Sequence, residues 1–408
     1  MNLEGLKPFD IRPALLDMHE EMVRVRRDLH RHPELGFQEN RTAQMVADTL
    51  RGLGGVEVTD GVAKTGVVGL IRGKGPGPTI LVRADMDGLP LQEENQREYA
   101  SQTPTVMHAC GHDGHVSSAL AVARYFASRS DSFAGNVKVV FQPAEEGPGG
   151  AKPMIEAGVM RGPDVDLAFG LHLWNELPVG HIGITDGPMM AAADHFRLTL
   201  IGRGGHGAHP HKTVDPIVTA AHVITALQTI PSRSIDPFHS VVVTVGAIAG
   251  GKAHNIIPPR VILDGTVRSL DPGVRDELES HMHRVVRGIT DGMGATYELE
   301  YVRGYPVTAN NPEVCEMVRG CARNVLATAG RIEAPRTMGG EDMSYFLNEV
   351  PGCFFFVGSS NPREGLDHQH HSPRFDFDER ALMLGAEIMV AAVEKALATA
   401  PIRKSPRL

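Results

Sequence analysis

The run Met107-His108-Ala109-Cys110-Gly111-His112-Asp113-Gly114-His115, with the pair Glu145-Glu146 further along, constrains this chain more than any other feature. A thiol, three imidazoles and two adjacent carboxylates fall among segments that read as buried α/β framework. Burying such groups is costly unless something compensates them, and a bound metal ion compensates best. The fold therefore has to gather these residues around a hydrolytic metal centre with a general base beside it.

The local context fits that demand. Val137–Ala144 reads as a strand running out to the two carboxylates, and Gly147 opens a turn. Acidic residues at the carboxyl end of a buried strand stand at the usual ligand position of an open α/β sheet. One can bind metal while the other stays unligated as a base. Cys110 and His112 are good ligands for zinc and neighbouring transition metals. His172 interrupts the apolar strand Phe169–Trp174, and His371 lies in His370-His371-Ser372-Pro373. Alone, either histidine reads as an ordinary structural residue; their case rests on the whole set.

At 408 residues the chain is long for one core, and two domains are expected. The spacing predicts helices over Ile11–Leu29 and Thr42–Leu53, strands over Val67–Ile71, Thr79–Ala84 and Val137–Phe141, and a helix over Gly114–Arg129. Strands alternating with helices argue for an α/β sheet covered on both faces. From Met190 the character changes. Strand His195–Ile201, helix Asp215–Thr229, strands Ser240–Ala249 and Arg260–Ser269, helix Val274–Asp291 and strand Thr296–Val302 make a ferredoxin-like βαββαβ unit. After Pro312 the first pattern returns and ends in a helix over Glu379–Ala398. The expected layout is a discontinuous catalytic domain, residues 1–189 and 304–408, with residues 190–303 inserted; the tail Pro401–Leu408 is expected to fray.

Composition narrows the function class. Hydrophobic content of 42% with 22% charged residues fits a soluble globular enzyme, and the net charge of −9 disfavours nucleic acid and anionic membranes as partners. No signal peptide or membrane-spanning run is evident, and the four cysteines lack a disulfide-framework spacing, so a cytoplasmic location is expected. Gly202–Gly207 formally fits a dinucleotide-binding glycine pattern, but the required downstream acid is missing.

Eight ordered motifs together resemble the hippurate hydrolase and N-acyl-L-amino-acid amidohydrolase branch of the di-metal aminoacylase and carboxypeptidase G superfamily. They are Arg83–Pro90, His108–His115, Gln142–Ala151, Gly170–Trp174, Gly204–Ile217, His254–Ser269, Met338–Phe346 and His370–Phe375. The resemblance implies a di-metal exopeptidase-like domain and an inserted lid domain that also dimerises. It implies two divalent ions (zinc, manganese, cobalt or nickel) with Cys110 between them. One ion would add Glu146 and His371, the other His112 and His172. Glu145 matches the general base, His206 the donor that stabilises the oxyanion, and Asp87 an acid behind the ligands. Asn255 and Arg268 match positions that handle the substrate carboxylate, with His211 nearby. Where many superfamily members carry a histidine ligand, this chain has Asp85, and that role shifts to His112.

The expected reaction is hydrolysis of N-acyl-L-amino acids with small or aromatic acyl groups, hippurate-like compounds leading, by a homodimer or dimer-based oligomer. A dipeptidase or carboxypeptidase with the same centre is the near rival. More distant are a hydrolase using Cys110 as nucleophile and His112 as base, and a silent binding protein. His108, His115 and His209 read as structural or solvated, and Glu341 and Asp342 as ties for their own loop.

Overall fold

The computed structural model describes residues 3–399, so the expected fraying at Pro401–Leu408 lies outside the described residues. Along the chain the principal elements begin with helices α1 (His19–Arg31) and α2 (Asn40–Gly52) and strands β1 (Val56–Val62), β2 (Gly66–Arg72) and β3 (Thr79–Asp85). Helix α3 (His112–Ala127) and strands β4 (Asn136–Gln142), β5 (Leu167–Pro178) and β6 (His181–Gly183) follow. Next come β7 (Ala192–Ile201), α4 (Pro216–Leu227), β8 (Val241–Gly250), β9 (Arg260–Ser269), α5 (Pro272–Met293) and β10 (Thr296–Tyr305). The chain closes with α6 (Pro312–Leu326), β11 (Arg331–Glu333), β12 (Gly352–Ser360) and α7 (Arg380–Leu397).

Two compact units result. The larger takes the chain up to Gly187, then Ala309–Pro335, then from Tyr345 onward; the smaller takes Pro188–Thr308 and Arg336–Ser344. Residues 336–344, expected in the larger domain, fall in the smaller unit. Backbone bonds tie them to the smaller unit instead, from Thr337 N–H to the Met189 carbonyl and from Ala191 N–H to the Gly339 carbonyl.

The larger unit is built on a mixed sheet in the order β1-β2-β4-β3-β5-β12-β6-β11. Its centre is parallel, with β3 beside β4 and β5, and β12 beside β5. Every residue of β3 and β12 is buried, as strands covered on both faces must be. Helix α3 is buried almost all round and packs against α1, α7 and β3. Gly114 permits that approach: a Cβ there would fall 2.4 Å from Leu173 Cδ1 and 2.8 Å from Phe377 Cζ. Gly114→Ala is therefore expected to cost about 1–3 kcal/mol through overpacking, read as a lower urea midpoint; an unchanged midpoint would refute the packing argument.

The helix expected over Ile11–Leu29 is in fact two pieces, Pro13–Leu16 and His19–Arg31. Met18 N–H bonds the Leu15 carbonyl in a turn between them. The apolar spacing runs on across the break, so periodicity alone cannot reveal it.

The smaller unit has the expected βαββαβ order. Its sheet runs β8-β9-β7-β10 with all neighbours antiparallel, the ferredoxin-like arrangement. Both helices start on an aspartate cap followed by proline: Asp215 accepts from the Ile217 and Val218 amides, and Asp271 from the Val274 amide. Phe196, Leu198 and Leu263 from the sheet meet Val223, Leu227, Met282 and Val286 from the helices in its core. Strand β8 is an edge, with Ile248 58% exposed on it. Among the described residues no helix is long and apolar enough to cross a membrane.

Candidate metal centre and base

The carboxyl ends of β3 and β4 and the middle of β5 meet the loop that opens α3. Cys110 and His112 are buried there, with His172 on β5 and Glu145 and Glu146 just past β4. Cys110 Sγ lies 3.5 Å from His172 Nε2. His371, 56% exposed, reaches in from the loop before α7, held by its N–H bond to the Ala109 carbonyl.

Two ligand groups share one member. Cys110, His112 and His172 offer ligand atoms within 4.8 Å of one another, and so do Cys110, Glu146 and His371. A third group of the same tightness joins His112 to Glu145 and Glu146. Two of these atoms make no hydrogen bond among the described residues. Buried His112 Nε2 accepts and donates no hydrogen bond, and neither does Glu146 Oε1. His371 Nε2 stands 3.1 Å from that oxygen, but not in hydrogen-bonding alignment. Two buried polar atoms without a hydrogen bond, set in a close group of a thiol, imidazoles and carboxylates, fit a transition-metal site.

The other ring nitrogens are fixed. His172 Nδ1 lies 2.7 Å from the Leu173 carbonyl and His112 Nδ1 2.9 Å from the Asp87 carbonyl. Each Nδ1 therefore carries a proton, which leaves Nε2 as the atom of each ring that faces the cluster and can bind a cation once it is deprotonated. Burial drives the His172 pKa well below its usual value, so that ring is neutral. Burial also opposes charge on His112, yet the facing Asp85 and Asp87, with Glu146, push its pKa up to about 10. The Cys110 thiol is pushed up by burial first and by Glu146 and Glu145 next.

Asp87, expected behind the candidate ligands, also holds the turn after β4. Its Oδ1 accepts the Glu145 amide at 2.9 Å and its Oδ2 the Glu146 amide at 3.0 Å, so one buried carboxylate clamps the turn that carries both acids. Asp85 is turned away from open coordination by Arg83 and His115, each 2.6 Å from one of its oxygens. His115 is satisfied at both nitrogens, since its Nε2 accepts the Leu173 amide at 2.9 Å. His108 is buried, neutral and without a partner at either nitrogen; burial lowers its pKa to about 4.

Behind α3 lies an ion network that the spacing of residues did not reveal. Arg26, fully buried, donates to Asp113 at 2.9 Å and to Asp376 at 2.7 Å, and His30 Nδ1 sits 2.7 Å from the same Asp113 oxygen. It anchors the first turn of α3, beside His112. Nothing in the pattern around Arg26 marks it off from the exposed charges of an amphipathic helix.

The remaining predicted residues lie in the smaller unit. His206 is exposed, pairs in backbone register with Ile256, and accepts the Ala208 amide on Nδ1 at 3.0 Å. Its proton therefore sits on Nε2. Asn255 is brought beside it by the bond from Gly207 N–H to the Asn255 carbonyl. His211 is exposed in the short turn Pro210–Lys212. Arg268 is half-buried on β9, its Nε bonded to the Thr266 hydroxyl at 3.0 Å, and no carboxylate pairs with it among the described residues. Burial lowers its pKa. Glu341 and Met343 tie their own loop, through the bond from Met343 N–H to Glu341 Oε1 at 2.9 Å.

A mixed α/β sheet with a shared-ligand cluster at its strand ends is the architecture of a hydrolase built around metal. The chain matches the profile of Peptidase family M20/M25/M40 over residues 81–395, and it belongs to that family. It is 46% identical to an N-acyl-L-amino acid amidohydrolase of Geobacillus stearothermophilus, over 74% of this chain and 82% of that one. A thermostable carboxypeptidase of Saccharolobus solfataricus is 42% identical over 91% of this chain and 94% of its own. A solved Bacillus subtilis structure, described as a dinuclear metal binding peptidase of the M20 family, superposes with a TM-score of 0.82 at 33% identity, covering 94% of this chain and all of that one.

Proposed function

We propose that the protein is a metal-dependent amidohydrolase that cleaves N-acyl-L-amino acids into a carboxylic acid and an amino acid. The carrying observation is that Cys110 belongs to two separate ligand groups, with His112 and His172 on one side and Glu146 and His371 on the other. Those five residues would hold two divalent ions of the zinc, manganese, cobalt or nickel kind. When bound, such ions lower the pKa of a coordinated water and polarise the amide carbonyl. Glu145, clamped by Asp87 at its amide, takes the proton of the attacking water and returns it to the leaving amine. His206, with its proton on Nε2, donates to the developing oxyanion. Arg268, which forms no salt bridge among the described residues, receives the substrate carboxylate together with Asn255, with His211 nearby.

The amidohydrolase relative supports the acyl-amino-acid substrate, and the carboxypeptidase relative supports peptide cleavage at the same centre as the second reading. The thiol-nucleophile reading is disfavoured, because burial and two carboxylates keep Cys110 protonated. The smaller unit as a lid, a homodimer formed through the open edge of β8, and a cytoplasmic location complete the proposal.

Chelation is expected to abolish hydrolysis of N-acetyl and N-benzoyl amino acids, and added divalent metal to restore it. Full activity in a metal-stripped sample sinks the proposal. Cys110→Asp is expected to keep turnover, since a carboxylate can also be shared by two ions. Loss of turnover with metal content retained would return the thiol nucleophile to consideration. Replacing the acyl substrates by dipeptides decides between the two substrate readings.

A further inference from the structure

The residue just before the base is out of the ordinary. Ala144 has a φ of 54°, in the left-handed region that a side chain makes unfavourable, and no glycine stands there to relieve it. Such a conformation persists only where its surroundings over-determine it. Three consecutive amides meet buried carboxylate oxygens at this point. Ala144 N–H donates to Glu39 Oε1 at 2.8 Å, and the next two, of Glu145 and Glu146, donate to Asp87.

Glu39 is itself oddly employed. It sits at the N-cap of α2 but makes no side-chain cap bond there. The capping is done by Glu34, whose two oxygens accept the Arg41 amide at 2.9 Å and the Thr42 amide at 2.8 Å. The Glu39 side chain instead turns inward, fully buried, where the Thr65 hydroxyl donates to its second oxygen at 2.6 Å. Its neighbour Gly36 is pressed onto the same residue: a Cβ there would fall 2.9 Å from Ala144 Cβ and 3.0 Å from Ala144 Cα.

We propose that Glu39 is a positioning residue for the general base, its inward-turned carboxylate holding Ala144 in the left-handed conformation that aims Glu145. This rests on the reading of Glu145 as the base. Glu39 touches neither substrate nor the reacting atoms; it acts through one amide. The chain thus uses its N-terminal segment, far from the metal-site motifs in sequence, to set the orientation of the residue on which proton transfer depends. A shift of the base by an ångström is enough to cost about a hundredfold in rate.

The test uses the full-length, metal-saturated protein with an N-acetyl amino acid, and four variants. Glu39→Ala is expected to lower kcat about 10- to 100-fold while KM stays within about threefold and bound metal is unchanged. Glu39→Gln keeps an acceptor for the Ala144 amide and is expected to stay near wild type. Thr65→Val, which removes the hydroxyl fixing Glu39, is expected to give a smaller fall. Glu39→Ala combined with Ala144→Gly is expected to recover part of the loss, because glycine adopts the conformation unaided. Hydrogen exchange supplies a readout independent of turnover: in metal-free protein the 144–146 amides should exchange faster in Glu39→Ala and not in Glu39→Gln. Wild-type kcat in Glu39→Ala, or an equal fall in Glu39→Gln, overturns the proposal. If Glu39→Ala does not fold, unchanged kcat and exchange in Thr65→Val overturn it. A wild-type protein that hydrolyses nothing when metal-loaded removes the amidohydrolase reading instead, and the exchange comparison then decides the clamp alone.

Discussion

Glu145→Gln is expected to leave the protein folded and able to bind metal while turnover falls by about 10²–10⁴-fold, the usual contribution of a positioned general base. The amide side chain matches the carboxylate in size but cannot take the proton of the attacking water. Its backbone position should not change, because Asp87 and not the side chain holds the Glu145 amide. The measurement pairs kcat with metal content per chain. Loss of both would make Glu145 a ligand, and loss of neither would remove it from the chemistry. Glu146→Gln makes the contrast: that oxygen belongs to the ligand group with Cys110 and His371, so its replacement should weaken metal binding first.

The second large effect concerns stability. Arg26→Met is expected to cost about 3–5 kcal/mol in chemical denaturation, since it strands two buried carboxylates that now share one guanidinium. Arg26 bonds Asp113 and Asp376 and lies over the rings of Phe377 and Tyr99, 4.3 and 4.8 Å from their centroids. Burial by itself would raise the Asp113 pKa; Arg26 and then His30 override it and hold the carboxyl below the usual carboxylate range. The sign follows from that depression. The stabilisation is complete above the unfolded value of about 3.9 and is lost only as the pH falls through the lower folded value. Without Arg26 the folded pKa rises, so acid unfolding should begin at a higher pH. An unchanged denaturant midpoint and acid limb would show the network to be energetically idle.

How far the sequence could be read follows from what each residue does. Strand Arg260–Ser269 was legible to the residue because one face is buried and the alternation is strict. Strand β1 was not, since it is an edge strand with four of its seven residues exposed and little burial to imprint a pattern. In the site, Cys110, His112, Glu145 and Glu146 announced themselves because each is expensive to bury. Glu39 and Arg26 are at least as buried, yet they work by hydrogen bonds to groups distant in the chain. Nothing local separates them from the solvated acids and bases around them. The family resemblance singled out Asp87 as an acid behind the candidate ligands, but its grip on two successive amides depends on the turn geometry after β4 and had no counterpart in the spacing.

The order of strands in the larger sheet also dictates an order in time. Strand β12, from the last quarter of the chain, lies between β5 and β6, which end at Pro178 and Gly183, well before β12 starts at Gly352. Helix α7, which follows it, covers α3 and β5. As the chain leaves the ribosome, the smaller unit can complete its own four-stranded sheet while the larger still lacks a central strand and one covering helix. The half-built sheet exposes the row of backbone groups that β12 will later fill, on β5, the strand that bears His172. Until β12 arrives, that edge of β5 is open to pairing with the wrong strand.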